Sequence, residues 1–179
     1  MKGTALAGVV LLAASAANAQ EAGANGAKPA PCSDPVFRQF DFWVGEWDVF
    51  LPDGKRAGSN SIGKEEYGCL LVERWKNAQG VTGQSYNFVD LETGKWRQVW
   101  VSAGSTIDYE GGLDDSGAMV LEGTIGYGAG KPGNGARFRG TWTPNADGSV
   151  TQRFEQYDAG ENEWTDWFTG IYRRKAKPD

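Results

Sequence analysis

The chain has 179 residues, among them 8 Trp, 8 Phe, 6 Tyr, 26 Gly and 2 Cys but no His, and its formal net charge is -5. The lack of His excludes a Ser-His or Cys-His nucleophile and His-ligated zinc or haem. The acidic balance disfavours the phosphate neutralisation on which nucleic-acid binding depends. No residue pattern identifies a reaction, so we predict no catalytic residues, no metal site, no cofactor and no nucleic-acid partner.

The N-terminus has the pattern of a secretory signal peptide over residues 1–19. A basic start at Lys2 precedes an apolar run from Ala5 to Ala14, and small residues lead to Ala19, after which we expect cleavage. The alternative is a membrane anchor, but the run is far shorter than the roughly 20 apolar residues of a spanning helix. We therefore expect an exported protein, periplasmic or secreted, with no integral membrane segment after cleavage.

The composition changes at Phe37, because no aromatic residue precedes it. This change predicts a flexible N-terminal segment followed by one domain of ordinary size. An oxidising compartment favours a disulfide between Cys32 and Cys69, and two free thiols are the alternative. The predicted segments are a leader over 20–35, a domain over 36–174 and a frayed tail over 175–179.

The first predicted element is a short helix between Asp34 and Val44, which Ser33 or Asp34 can cap and whose first turn suits Pro35. From Glu46 onward, short β-branched and aromatic runs are separated by clusters of Gly, Asp and Asn. This rhythm predicts an all-β fold, a single antiparallel up-and-down β-barrel of about ten strands. The predicted turns are Asp53-Gly54, Thr93-Gly94, Asp115-Ser116-Gly117, Asp147-Gly148 and Ala159-Gly160.

Charged side chains indicate which face of each strand meets solvent, because side chains alternate between the two faces. Arg74 and Lys76 should face outwards on one strand, and pairing of Asp90 with Lys95 sets the register of the two strands that follow. The resulting cross-strand pairs are Ser85 with Trp100 and Asn87 with Gln98. The polar and aromatic residues that this alternation directs inwards, which we predict to bind a ligand, are Glu73, Trp75, Ser85, Asn87, Trp96, Gln98, Trp100 and Tyr109. Further inward positions are Trp47, Val49, Leu51, Leu71, Ile107, Met119, Leu121, Phe138, Trp142, Gln152 and Phe154.

The inferred interior is unusual in combining several Trp residues with carboxyl, amide and hydroxyl groups. Such polar groups are not buried without partners. A barrel with a partly wet cavity explains them, and small barrels of this kind hold one small ligand. The alternative is a filled core in which the polar side chains satisfy one another and ordered water.

Glu73 is the most distinctive candidate in this interior. Desolvation among aromatic side chains should raise its pKa and suit it to a cationic or hydroxyl ligand. Its alternative role is to hydrogen-bond neighbouring strands in register. Likewise, Trp75, Trp96, Trp100 and Tyr109 form either an aromatic box for a planar or quaternary ammonium ligand or ordinary core packing.

The Gly-rich segment 124–136 contains Gly128-x-Gly130-x-x-Gly133, which formally matches a dinucleotide-binding fingerprint. Pro132 interrupts the motif and no helix pattern follows, so we reject that interpretation. The segment is better explained as a long hairpin loop, either a lid over the barrel mouth or a simple linker.

The segment FDFWVGEWDV carries Gly45-Glu46-Trp47, which resembles the Gly-x-Trp signature of calycin barrels. In that superfamily an Arg from the last strand packs across the Trp and closes the barrel base. The terminal segment GIYRRK offers two candidates for this structural role, Arg173 and Arg174, of which we prefer Arg173.

A further resemblance links the chain to the bacterial exported domains of the domain of unknown function 1579 family. Its motifs are FDFWVGEWDV, GCLLVERW, GQSYNFVDLETGKWRQVWV, YEGG and FTGIYRR, spread over residues 36–174. The resemblance implies a calycin-like barrel similar to lipocalins, fatty-acid-binding proteins and nitrobindin-type proteins, but no activity. Nitrobindin-type barrels bind haem through a His that this chain lacks, so haem binding does not follow.

These observations favour an exported barrel, monomeric or weakly dimeric, that encloses a small, largely apolar or aromatic ligand. One alternative is a structural or interaction protein with a filled barrel. The other is an enzyme whose chemistry depends on carboxylates or Tyr alone, which we rank below ligand binding.

Overall fold

The computed structural model describes residues 30–176. The predicted signal peptide, residues 20–29 of the predicted leader and the last three residues of the predicted tail lie outside this range. Within it, no helix has the length and apolar character needed to cross a membrane.

The domain is a closed barrel in which ten antiparallel strands pair in sequence order and the first strand pairs with the last. This topology confirms the predicted all-β, up-and-down barrel. The strands are β1 Gly45–Phe50, β2 Arg56–Glu65, β3 Leu70–Asn77, β4 Thr82–Val89, β5 Trp96–Ser102, β6 Thr106–Leu113, β7 Met119–Gly126, β8 Ala136–Pro144, β9 Val150–Asp158 and β10 Glu163–Arg174.

All five predicted turns fall between consecutive strands. In the turn that joins β8 to β9, Gly148 adopts a φ of 81°, a conformation that favours glycine. The preceding Asp147 accepts a hydrogen bond from the backbone N–H of Ser149 at 2.9 Å. Local sequence chemistry therefore determines where these strands end.

The predicted N-terminal helix is present as two consecutive 3₁₀ segments, Pro35–Arg38 and Asp41–Trp43. The carboxylate of Asp34 caps the first by accepting a hydrogen bond from the N–H of Val36 at 3.0 Å. Phe40, which lies between the two segments, is fully buried against the barrel. Together the two segments plug one end of the barrel.

A disulfide between Cys32 and Cys69 fastens this plug, as predicted from the compartment. Cys32 precedes the first 3₁₀ segment, and Cys69 follows a third one, Glu66–Gly68, in the connection between β2 and β3. The Cα atoms of the two cysteines lie 5.1 Å apart. The bond therefore joins the start of the described chain to the plugged end of the barrel.

The register between β4 and β5 matches the one inferred from the turn. The N–H of Asp90 donates to the carbonyl of Lys95 at 2.8 Å. The pairs are Ser85 with Trp100 and Asn87 with Gln98. Because this register is correct, the interior faces assigned to both strands are also correct.

The preference for Arg173 as the residue that covers Trp47 is wrong, because Arg174 occupies that position. The Arg174 guanidinium carbon lies 3.9 Å from the centre of the Trp47 ring system, and Nη1 donates to the carbonyl of Val44 at 2.6 Å. Gly45 is needed beside it, since a β-carbon there would overlap with the guanidinium and φ is 141°. Arg173 instead lies over Phe50 on the outer face, at 5.3 Å.

The physical reason is a β-bulge in β10, where the register against β9 shifts between Asp166 and Phe168. One extra residue reverses the alternation that follows. The bulge allows Trp167 to pack against Phe138, at 5.5 Å between ring centres. It also turns Tyr172 inwards and moves Arg173 to the outer face.

Candidate functional site

A cavity of about 370 Å³ occupies the end of the barrel opposite the plug. Its rim includes Leu51 and Arg56 from the β1–β2 hairpin and Asn77 and Gln79 from the β3–β4 hairpin. The cavity therefore opens to solvent between these two hairpins. Its remaining lining residues are Ala57, Glu73, Trp75, Ala78, Trp100, Gln152, Phe154, Phe168 and Tyr172.

Aromatic side chains form the walls of this cavity. The ring centres of Trp75 and Phe168 lie 6.4 Å apart in an edge-to-face arrangement. Glycines on neighbouring strands leave room for the indoles: a β-carbon at Gly58 would lie 2.7 Å from the Trp75 ring, and one at Gly83 would overlap with Trp100. Small residues opposite large ones thus shape the apolar walls.

The carboxyl group of Glu73 lies at the floor, and the residue is only 4 % exposed. Asn60 Nδ2 donates to Oε1 at 2.6 Å, and Ser85 Oγ donates to Oε2 at 2.6 Å. Burial raises the pKa of Glu73 to about 7, although both hydrogen bonds act to lower it. Glu73 therefore changes its charge close to neutral pH.

A chain of buried hydrogen bonds runs behind Glu73 through four of the predicted residues. Asn87 Nδ2 donates to Ser85 Oγ at 2.9 Å, Gln98 Nε2 donates to Asn87 Oδ1, and the Tyr109 hydroxyl donates to Gln98 Oε1. The link between Asn87 and Ser85 lies along β4, whereas the links to Gln98 and Tyr109 cross to neighbouring strands. Such a network holds the donor of Ser85 in place towards the carboxylate.

A second branch includes two residues that sequence reasoning missed, Asn60 on β2 and Tyr172 on β10. Asn60 Nδ2 also approaches the Tyr172 hydroxyl at 3.1 Å, and that hydroxyl donates to Gln152 Oε1 at 2.8 Å. Alternation from Ile62, which is buried, would have identified Asn60 as an inward residue. Tyr172 lies on β10, for whose residues no inward face was predicted.

Within residues 30–176, no Lys or Arg nitrogen forms a salt bridge with Glu73. The nearest candidate on the cavity lining is Arg56 at the rim, and its Nη2 pairs with Asp48 at 2.7 Å. Burial, followed by the charge of Glu73, raises the pKa of Tyr109 and of Tyr172 well above the ordinary tyrosine value. Both tyrosines are therefore neutral hydroxyl groups at physiological pH.

The eight residues predicted to bind a ligand divide into three groups by depth. Three of them, Glu73, Trp75 and Trp100, line the cavity. The four polar or phenolic residues of the network lie behind the floor. Trp96 lies at the plugged end, where its Nε1 donates to the carbonyl of Val36 at 3.2 Å.

The Gly-rich connection between β7 and β8 lies at the same end of the barrel as the cavity, but residues 127–135 do not line it. The Tyr127 hydroxyl donates to Gln156 Oε1 at 2.8 Å and accepts a hydrogen bond from Trp167 Nε1 at 2.9 Å. Asn134 Oδ1 accepts from the N–H of Tyr127 at 2.9 Å. These hydrogen bonds hold the connection against β9 and β10.

This geometry defines a class of protein: a closed antiparallel barrel with one end plugged and an aromatic, polar-floored cavity at the other. A structural similarity agrees with it. The crystal structure of Rv2717c from M. tuberculosis matches with a TM-score of 0.54 at 14% sequence identity, over 80% of this chain and 99% of that chain. This similarity supports the barrel fold alone. No protein-family model and no curated protein matches the chain.

Proposed function

We propose that the protein binds a small, largely apolar or aromatic molecule in the cavity. The observation that carries the proposal is an open space of about 370 Å³ with aromatic walls and a buried polar floor. Ligand sites in proteins span roughly 300–1,000 Å³ and combine apolar walls with a few polar groups. The cavity lies at the lower end of that range, which suits a compact ligand.

The roles of the lining residues follow from their positions. Trp75 and Trp100 supply apolar contact area, and Glu73 orients the ligand. Ser85, Asn87, Gln98 and Tyr109 act on the ligand through Glu73 rather than by direct contact. Trp96 stabilises the plug.

The setting of this function is part of the same proposal. The Cys32–Cys69 disulfide supports export to an oxidising compartment, as a periplasmic or secreted protein. In that compartment the protein acts as a monomer or weak dimer. The barrel fold also supports membership of the domain of unknown function 1579 family, whose motifs the chain resembles.

The first experiment compares native and denatured mass spectra of protein purified from an oxidising periplasm. We expect an adduct present only in the native spectrum, whose mass identifies the class of ligand. In parallel, Nile red should bind the wild type with an increase in fluorescence. Trp75→Ala and Trp100→Ala should weaken that binding about tenfold, because each removes a wall of the cavity.

The matched control is Tyr86→Ala, which removes an aromatic side chain that is 52 % exposed on the outer face. This variant should bind Nile red like the wild type. If the native mass equals that of the chain and Nile red does not bind, the ligand-binding proposal is wrong. A structural or interaction barrel then becomes the better explanation.

A further inference from the structure

We propose that the cavity is selective for organic ammonium ions, molecules with an apolar or aromatic body and a protonated amine that donates hydrogen bonds to Glu73. This inference rests on the proposed function and adds the chemical class of the ligand. Its basis is the balance of donors, acceptors and charges around the floor.

The floor offers acceptors. An ionised carboxylate has about four lone-pair positions, and Asn60 and Ser85 each donate to one oxygen of Glu73. The hydroxyl hydrogens nearby are already used, since Ser85 donates to Glu73 and Tyr172 donates to Gln152. A ligand that brings N–H donors therefore matches the carboxylate better than one that brings only acceptors.

Asn60 adds a second, independent observation. Its Oδ1 is buried and has no hydrogen-bond partner among the described residues, because the amide turns its Nδ2 towards Glu73. An unpaired buried acceptor is unfavourable by roughly 1–3 kcal/mol. The orientation therefore favours the ionised form of Glu73, to which the amide donates, and this is the form that an ammonium ion needs.

The surrounding charges also favour a cation. On the elements packed against Glu73, the titratable groups that face it are Tyr109 on β6 and Tyr172 on β10, both neutral hydroxyls. Arg56, the cation on the cavity lining, is paired with Asp48 at the rim. The faces of Trp75 and Trp100 offer the negative side of the aromatic quadrupole to a cation.

An anionic ligand and a metal ion fit less well. A carboxylate ligand would meet the like charge of Glu73 without a cation at the floor to compensate. In the part of the chain that the structure describes, no group of three His, Cys, Asp or Glu side chains is placed to hold a metal ion. An organic cation needs only one carboxylate and aromatic walls, and the cavity supplies both.

Binding should be coupled to proton release. With a pKa of about 7, the empty site is largely protonated at about pH 6, and an ammonium ligand selects the ionised form. Each binding event at about pH 6 should therefore release close to one proton to the buffer. Affinity for the amine should rise as the pH increases through 7, as long as the amine stays protonated.

Isothermal titration calorimetry with three indoles of similar size tests the inference: tryptamine, neutral tryptophol and anionic indolepropionate. Titrations in two buffers of different ionisation enthalpy give the number of protons released. At about pH 8 we expect tryptamine to bind about ten- to a hundredfold more tightly than tryptophol, as for a charge-assisted hydrogen bond. Indolepropionate should bind most weakly.

Glu73→Gln should remove both the preference for tryptamine and the proton release. The matched control is Glu155→Gln, the same change at a residue that is also 4 % exposed but lies on the outer face beside Arg139. This control should keep both properties. The wild-type proton count tests the inference even if Glu73→Gln does not fold.

Three outcomes distinguish the two proposals. Equal binding of tryptamine and tryptophol without proton release overturns the ammonium inference but leaves the ligand-binding proposal intact. Tighter binding of indolepropionate overturns it in the same way. If none of the indoles binds and Nile red also fails to bind, both proposals are wrong.

Discussion

The two ends of the barrel use the same kind of residue for different purposes. At the plugged end, Phe40 stacks on Trp43 with ring centres 4.9 Å apart and meets Trp142 edge-on at 5.2 Å, and all three are fully buried. At the open end, Trp75 and Trp100 are half-buried and line an open cavity. Aromatic residues stabilise the fold at one end and present a binding surface at the other.

The difference depends on what the indole rings meet. At the plugged end, two indoles donate to backbone carbonyls of the 3₁₀ segments: Trp47 Nε1 to the carbonyl of Trp43 at 2.8 Å, and Trp96 Nε1 to the carbonyl of Val36 at 3.2 Å. At the open end, Trp75 and Trp100 pack only partly against the core and line the cavity, whose floor holds the buried carboxyl group of Glu73. We therefore expect substitutions at the two ends to affect different properties.

The largest effect should come from the centre of the plug. Trp43→Ala should lower the free energy of unfolding by about 3–5 kcal/mol, because it leaves a cavity among fully buried rings. Trp75→Ala should lower it by about 1–2 kcal/mol, because that ring is half-buried. Urea denaturation followed by circular dichroism measures both values. Equal losses at the two positions would contradict the division between the ends.

The disulfide should have the next largest effect. Replacing Cys32 and Cys69 by Ser releases a bond between residues 37 positions apart and should lower the free energy of unfolding by about 3–4 kcal/mol. Nile red binding by the folded fraction should not change, because the bond lies at the plugged end. Chemical denaturation of the double variant gives the stability, and a loss of Nile red affinity at temperatures where it is folded would show that the two ends are coupled.

The pH dependence of stability should report the floor of the cavity. The pKa of Glu73 is raised from 4.5 to about 7, so the native state binds more protons than the unfolded state between these values. The contribution of Glu73 to the free energy of unfolding should therefore be greatest below pH 4.5 and should be lost as the pH rises through 7. The pKa difference corresponds to about 3 kcal/mol.

Comparison of the wild type with Glu73→Gln isolates this effect. Other carboxyl groups act in the opposite direction at lower pH: the hydrogen bond from Arg97 lowers the pKa of Asp108, which favours the folded state above the ordinary aspartate range. The difference in unfolding free energy between wild type and variant should increase in favour of the variant from about pH 5 to pH 8. A constant difference would mean that Glu73 does not titrate in this range.

The smallest effect distinguishes the two terminal arginines. Arg174→Ala should lower the free energy of unfolding by about 1–2 kcal/mol, because it removes the contact with Trp47 and the hydrogen bond to Val44. Arg173→Ala should change it by less than about 0.5 kcal/mol, because its guanidinium lies farther from its ring partner, at 5.3 Å from Phe50, and among the described residues forms no hydrogen bond like that of Arg174 to Val44. Thermal unfolding of the two variants side by side measures the difference. The reverse order would restore Arg173 to the role that the sequence suggested.

The sequence predicted the faces of the strands well wherever alternation was regular. The turn between Asp90 and Lys95 is short and its ends are paired, so the register that places Asn87 opposite Gln98 could be deduced directly. The inward position of Glu73 followed from Arg74 on the opposite face. These deductions use only local chemistry and a period of two residues.

Where alternation is broken, the deduction fails. The bulge beside Trp167 inserts one residue into β10, and no residue type in the segment marks it unambiguously. No inward face was predicted for the residues of β10, so Tyr172 was missed, and the choice of Arg173 over Arg174 had no alternation to support it. At the bulge, Trp167 packs against Phe138 on β8 and Phe154 on β9, contacts that the sequence of β10 alone does not reveal.

By itself, the sequence determined the barrel class, the disulfide and the side of the sheet that the polar residues of β3, β4 and β5 face, because composition, turns and alternation are local properties. Only the tertiary structure decided how deep each inward residue lies. Depth depends on which end of the closed barrel is plugged and which is open: on β5, Trp96 lies beside the plug and Trp100, four residues along the strand, lies at the cavity. The division between packed core and binding surface therefore arises from closure of the barrel, which no single strand encodes.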